Sequence, residues 1–222
     1  MSNDIARGLL CIWTDVDPEH DADFNRWYDR EHMQERVAIP GFQNARRFAA
    51  VGPCPRPYLA LYVTDSLDVF GSAPYARAFA NQTLWSLQSF ERMRGTQRRV
   101  GTLAVETGAG EGGALALFVV PAALREDGRA AALSEALATV VQRDHIVRAA
   151  LLETDAVRST PLTAGATPAP ADALVMIEAT RAEAAALEAR ALSVSLGLPS
   201  GEVYTFQTLW RLASTDLFRK ET

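Results

Sequence analysis

GLLCIWTD at residues 8–15 returns in kind as GALALFVV at 113–120. Each is a short apolar run of the length a buried strand takes, and each leads into a stretch of helix formers. The first helix spans Glu19 to about Ala38, entered through Asp17 as N-cap with Pro18 at the first helical position and stopped by Pro40–Gly41. The second lies in ALREDGRAAALSEALATVVQ, 123–142. The later elements also come in a shared order. FQNARRFAAVG (42–52) and HIVRAALLETD (145–155) occupy one strand position, and YLALYVTD (58–65) and ALVMIEAT (173–180) the next. A helical segment comes after these in each half, over 74–90, where it looks broken, and over 181–196; RRVGTLAVE (98–106) and VYTFQTLWRL (203–212) close the halves.

The chain thus spells βαββαβ twice. A βαββαβ unit is a four-stranded antiparallel sheet with both helices on one face, the ferredoxin-like plan. Its strands here are apolar on both faces, with Leu9, Cys11 and Trp13 alternating against Leu10 and Ile12, so the face without helices needs a cover. The expectation is an α+β fold in which the two sheets pack face to face within one chain. Residues 1–107 form the first repeat and 113–222 the second, joined through the glycine-rich TGAGEGG (107–113). The long STPLTAGATPAPAD stretch (159–172) reads as a hairpin loop, the counterpart of the shorter VGPCPRP (51–57).

Composition narrows the function classes. A hydrophobic content of 48% with 22% charged residues suits a globular domain with a full core, and no apolar run is long enough to span a bilayer. The N-terminus has no apolar leader, which leads to an expectation of a cytoplasmic protein. A net charge of −5 offers no basic face to nucleic acid. Three histidines and two separated cysteines do not make a structural metal site, and no phosphate-binding glycine loop or nucleophile elbow is present.

The chemistry concentrates in FNRWYDREHMQERVAIPGF, residues 24–42. At a helical step per residue, Phe24, Trp27, Tyr28, Glu31 and Glu35 share a face with His32 at its margin. A carboxylate on an aromatic stripe must find a partner, take up a proton or look into a wet cavity. Glu31 therefore has two readings: a proton-transfer group raised in pKa by desolvation and Glu35, or a structural carboxylate held by Arg46 or Arg47 on the next strand. His32, one turn from Tyr28, is either a neutral base at the edge of a pocket or a residue closing the helix–sheet seam. Trp13 and Tyr62 either fill the interior or line a pocket for a flat apolar ligand, and Arg47 either holds an anionic group or pairs with Glu31 or Glu35.

Phe24, Trp27, Tyr28, Glu31, His32, Pro40, Gly41, Phe42, Arg46 and Arg47 together resemble a signature of the dimeric α/β-barrel superfamily, in particular EthD-like and related uncharacterised proteins. The resemblance implies a barrel made by fusing two units that other members bring together as a dimer. It also implies a choice among cofactor-free oxygenation, cyclisation, isomerisation and haem handling. The second repeat lacks W-Y-x-x-E-H, so a site built on the motif exists once. The sequence therefore reads as a cofactor-free small-molecule enzyme. On that reading His32, Glu31 and Tyr28 would act on an apolar aromatic or lactone-like substrate bounded by Trp13, Trp27, Arg47 and Tyr62. A non-catalytic binder of the same fold is the alternative, haem on His145 is a lesser one, and further pairing of the pseudo-dimer is left open.

Overall fold

Alternation of buried residues along each strand dictates a sheet covered on both faces, and the computed structural model shows how both covers are found. It describes residues 5–124, 129–160 and 169–217. In the first half β1 (Gly8–Val16) leads through a 3-10 turn at Pro18–His20 into α1 (Asp21–Trp27), a π turn over Tyr28–His32 and α2 (Met33–Val37). Then come β2 (Phe42–Ala50), β3 (Tyr58–Thr64), α3 (Ala73–Ala80), α4 (Leu84–Arg92) and β4 (Met93–Gly108). The second half has β5 (Ala114–Val120), α5 (Arg129–Val140), β6 (Ile146–Thr154), the short α6 (Ala156–Ser159), β7 (Ala173–Ala179), α7 (Ala182–Ser195), β8 (Tyr204–Ala213) and α8 (Ser214–Leu217).

All eight strands close into one antiparallel barrel, β1-β3-β2-β8-β5-β7-β6-β4. Read by halves, the order is β4-β1-β3-β2 and then β8-β5-β7-β6, the same arrangement twice. The halves meet edge to edge, β2 on β8 and β4 on β6, which leaves no free edge among the described strands. Face-to-face packing is thus achieved by curvature. The inner faces share one core in which Leu9, Phe48 and Leu61 meet Leu115, Leu152 and Phe206, each 6% exposed or less. Burying each of these side chains contributes about 1.5–3 kcal/mol. Gly101 allows the β4–β6 seam, since a Cβ there would lie 1.9 Å from the Glu153 carbonyl oxygen.

The helices cover the outer faces, with a separate core in each half. In the second half this space is packed by Phe118, Leu133, Leu137 and Ile177. In the first it is built of aromatic rings, Phe24, Trp27, Tyr28 and Tyr62 among them.

Several expectations change in detail. The closing strand of the first half begins at Met93 rather than 98, because β1 continues to Val16 and pairs Asp15 with Arg94 and Val16 with Met93. The helical segment over 74–90 does break, at 81–83. The Asp17 side chain makes no capping hydrogen bond; its carboxylate goes to Arg94 instead. The long loop falls largely at 161–168, outside the described residues. No helix of the described residues is long and apolar enough to cross a membrane.

Candidate functional site

A regular helix over 19–38 would turn Glu31 inward, but the π turn accommodates one extra residue and moves the phase on by one. From its last residue onward, His32, Met33, Arg36 and Val37 are buried, whereas Glu31 and Glu35 are only partly so. The stripe therefore carries a histidine and an arginine where a uniform period places two glutamates.

Glu31 is held by neither Arg46 nor Arg47. Its carboxylate accepts hydrogen bonds from Thr83 Oγ1 at 2.5 Å and Ser86 Oγ at 3.3 Å, at the N-terminus of α4. Thr83 Oγ1 also caps that helix by accepting from the Ser86 N–H, and Ser86 Oγ accepts from Trp27 Nε1 at 3.0 Å. A negative group at a helix N-terminus is favourably placed. Glu31 thus ties the motif helix to α4. Glu31→Ala leaves the hydroxyl of the fully buried Ser86 without an acceptor and should lower the unfolding free energy by about 1–3 kcal/mol, with Glu31→Gln losing clearly less. Chemical denaturation of the two variants checks the difference.

His32 faces a cavity of about 630 Å³ between the outer face of β1, β3 and β4 and the helices of the first half. Its ring lies 4.2 Å from that of Trp27 and meets Tyr28, Phe90 and Tyr62 edge-on. Burial, with Arg36 and Arg47 adding to it, holds the imidazole well below its usual pKa of 6.5, so it is neutral at physiological pH. Its Nδ1 is buried without a hydrogen-bond partner. The same is true of Arg36 Nε, Tyr62 Oη and Gln82 Nε2, and all four residues line this one cavity. Burial also raises the pKa of Tyr28 and, together with Tyr28, that of Tyr62, which keeps both phenols protonated.

Arg36 is the residue that the sequence did not reveal. It is 5% exposed, donates to Gln82 Oε1 at 3.1 Å, and has its nearest carboxylate, Glu35, at 3.9 Å. Burial, followed by the charge of Glu31, raises the pKa of Glu35. Arg98, also on the wall, donates to Tyr75 Oη at 3.3 Å and to the Arg158 carbonyl. Among the described residues no carboxylate lines the cavity. Ser159, Ala169 and Pro170 come from the second half, so the site formed by the first half is finished by the β6–β7 connection of the other.

Of the residues expected at the site, His32, Tyr28 and Tyr62 come together. Trp27 supports His32 from behind. Arg47 sits beneath Tyr28, its guanidinium 4.2 Å from that ring, and is engaged by Asp29 at 2.9 Å and Asn25 at 2.8 Å, not by Glu31 or Glu35. Trp13 belongs elsewhere. Its strand position turns it into the barrel, against Tyr204 and Phe206, on the face opposite Tyr62. Haem does not fit at His145, which is exposed in the turn before β6 with φ +67°, its Nδ1 3.2 Å from Thr180 Oγ1. Asp17, Glu19 and His20 converge on the surface as potential metal ligands, but Asp17 is already bound to Arg94.

The neutral buried His32 also shapes stability. Unfolding frees an imidazole that protonates below about pH 6.5 while the folded one does not, so the unfolded state binds the extra proton and stability rises with pH there. The loss on acidification starts near pH 6.5, approaches about 1.4 kcal/mol per pH unit, and ends at the depressed folded pKa. Denaturation midpoints between pH 5 and 7 should lose this slope in His32→Gln.

No family model and no curated protein matches the chain. Among solved structures it is similar to an anthrone oxidase-like protein, at 14% identity over 99% of this chain and 98% of that one, with a TM-score of 0.67. It is also similar to a candidate monooxygenase from Lactobacillus acidophilus NCFM (9% identity, 94% and 97% coverage, TM-score 0.58). Another similar structure is a candidate monooxygenase from Fusobacterium nucleatum (8% identity, 94% and 95%, TM-score 0.56). The likeness is one of fold: a mixed α+β chain whose strands close into one antiparallel barrel within a single polypeptide.

Proposed function

We propose that the chain is a small-molecule enzyme that removes a proton from a flat, apolar substrate in the helix–sheet cavity and holds the resulting oxyanion. The observation that carries this is the convergence of four unpartnered buried polar atoms, three of them donors, on an aromatic cavity whose described walls have arginines and no carboxylate. Leaving such atoms unpaired costs about 1–3 kcal/mol each, so the site favours a ligand that completes them. A carbonyl or phenol oxygen meets the need, gaining negative charge beside Arg36 and Tyr62 as His32 takes the proton.

Oxygenation is the outcome favoured by the names of the similar structures. An activated CH₂ loses a proton, and the carbanion forms a C–O bond to dioxygen. Protonation of the peroxide and loss of water then leave a carbonyl in place of the CH₂. Two electron pairs of the substrate reduce dioxygen, and the sequence of steps calls on no metal or nucleotide. Two further readings accompany this one. The shared strand order supports two repeats of a ferredoxin-like unit, and the residues from Phe24 to Arg47 support a relation to EthD-like proteins.

The test separates proton removal from its sequel. A panel of hydroxyaromatic ketones, 1,3-diketones and lactones is incubated with protein in D₂O, and exchange of the acidic C–H is followed by NMR with oxygen uptake in parallel. Catalysed exchange supports the proposal, and oxygen uptake selects oxygenation over isomerisation. Saturable binding without accelerated exchange would make the protein a binder and overturn the catalytic reading.

A further inference from the structure

Inside the barrel lies a second cavity, of about 540 Å³, on the opposite face of the sheet from His32. Its floor is apolar, with Leu9, Leu61 and Met176, and its mouth is a chain of alternating charges. Arg7 pairs with Glu106, Glu106 with Arg148, Arg148 with Glu178, Glu178 with Arg46, and Arg46 reaches Glu111 at 3.8 Å. The lining itself holds three arginines and three glutamates, with Arg211, outside it, donating to Glu111 at 2.9 Å. Yet two buried atoms on its wall make no hydrogen bond: Asn44 Oδ1, and Arg46 Nε, which has only the Glu111 carboxylate at 3.8 Å; the residues are 8% and 3% exposed. The two residues are neighbours on one face of β2, about 6.8 Å apart along the strand.

We propose that this lumen is a binding site for a neutral carboxamide-type group, an amide, lactam or urea, carried on a short apolar body. The chemistry is set by the two atoms. Arg46 Nε–H lacks a hydrogen-bond acceptor and Asn44 Oδ1 a donor, and an amide offers C=O and N–H side by side. A carboxylate would have no donor for Asn44 and an ammonium no acceptor for Arg46. Either would also bring net charge to a mouth whose ionised groups already satisfy one another, with desolvation left uncompensated. The apolar body covers Leu9, Leu61 and Met176. The site is independent of the helix–sheet cavity and of the reaction proposed there.

Hexanamide is the probe, with hexanoate and hexylamine as charged comparators, titrated into the full chain and followed by ¹H–¹⁵N NMR. The expected result is saturable shifts of the Asn44 side-chain amide and the Gly110 and Gly112 backbone, with both comparators weaker by about tenfold or more. Asn44→Leu should weaken hexanamide by about tenfold, and Met176→Trp, which fills the floor, should abolish binding even if Asn44→Leu does not fold. Arg36→Met, in the other cavity, should leave it unchanged. Absence of saturable shifts, equal binding of hexanoate, or unaltered affinity in Met176→Trp would overturn the proposal and leave the two atoms to water alone.

Discussion

His32→Gln should lower kcat/KM for proton removal by about 10²–10⁴-fold while leaving the barrel folded. Glutamine fills much the same space against Trp27 and keeps a hydrogen-bonding end, but it cannot accept a proton. The burial and arginines that depress the imidazole pKa make it a weak base in the free protein. Substrate alters that balance, because the proton reaches His32 as a negative charge appears on the substrate oxygen beside Arg36. The two charges compensate each other only in the transition state and beyond, where compensation accelerates reaction. The wild-type rate should be flat around neutrality, with its acid limb well below pH 6.5. A loss under tenfold in His32→Gln, with the acid limb unmoved, would assign the proton to another group. Arg36→Met should lower kcat as well as binding, since the oxyanion it faces is strongest in the transition state.

How far this site can be read from sequence depends on one turn of helix. The aromatic face, Phe24, Trp27 and Tyr28, is legible from periodicity because it ends where the π turn begins, and His32 is visible only at the margin of that face. Arg36 is not visible at all. A wheel of constant pitch places it with the exposed residues, and nothing in YDREH signals that the backbone will take in an extra residue. Gln82 comes from a break between helices whose position is legible and whose direction is not. The fold is far easier to read, because strands with period two and apolar residues on both faces leave few arrangements. That same period already separates Arg46 from Arg47 and Trp13 from Ile12 by face. Applied to Trp13, it moves that residue from the cavity to the lumen. What periodicity cannot supply is that the sheets join at their edges as well as pack at their faces, with Arg46 crossing the lumen to Glu178.

Removing that crossing should destabilise the barrel asymmetrically. Arg46 and Glu178 are each about 3% exposed and 2.7 Å apart, one on β2 of the first half and the other on β7 of the second. Glu178→Leu leaves Arg46 buried with only the Gly112 carbonyl at 3.1 Å and a carboxylate at 3.8 Å, and should cost about 3–5 kcal/mol. Arg46→Met should cost less, because Glu178 keeps Arg148 at 2.8 Å and the Gly112 N–H at 2.9 Å. The double variant should recover part of the loss, since two apolar side chains remove both charges from the lumen and leave neither stranded. Urea unfolding of the four proteins measures the coupling directly. Glu106, at the next link, adds a pH dependence. Burial opposes its ionisation, but Arg7 and Arg148 hold its pKa below the ordinary carboxylate value, so its contribution is complete above the unfolded pKa of about 4.5 and fades as pH falls toward the folded one. If Glu178→Leu proves no worse than Arg46→Met, the arginine is not stranded by losing its partner, and the chain of charges closes the mouth without tying the two halves together.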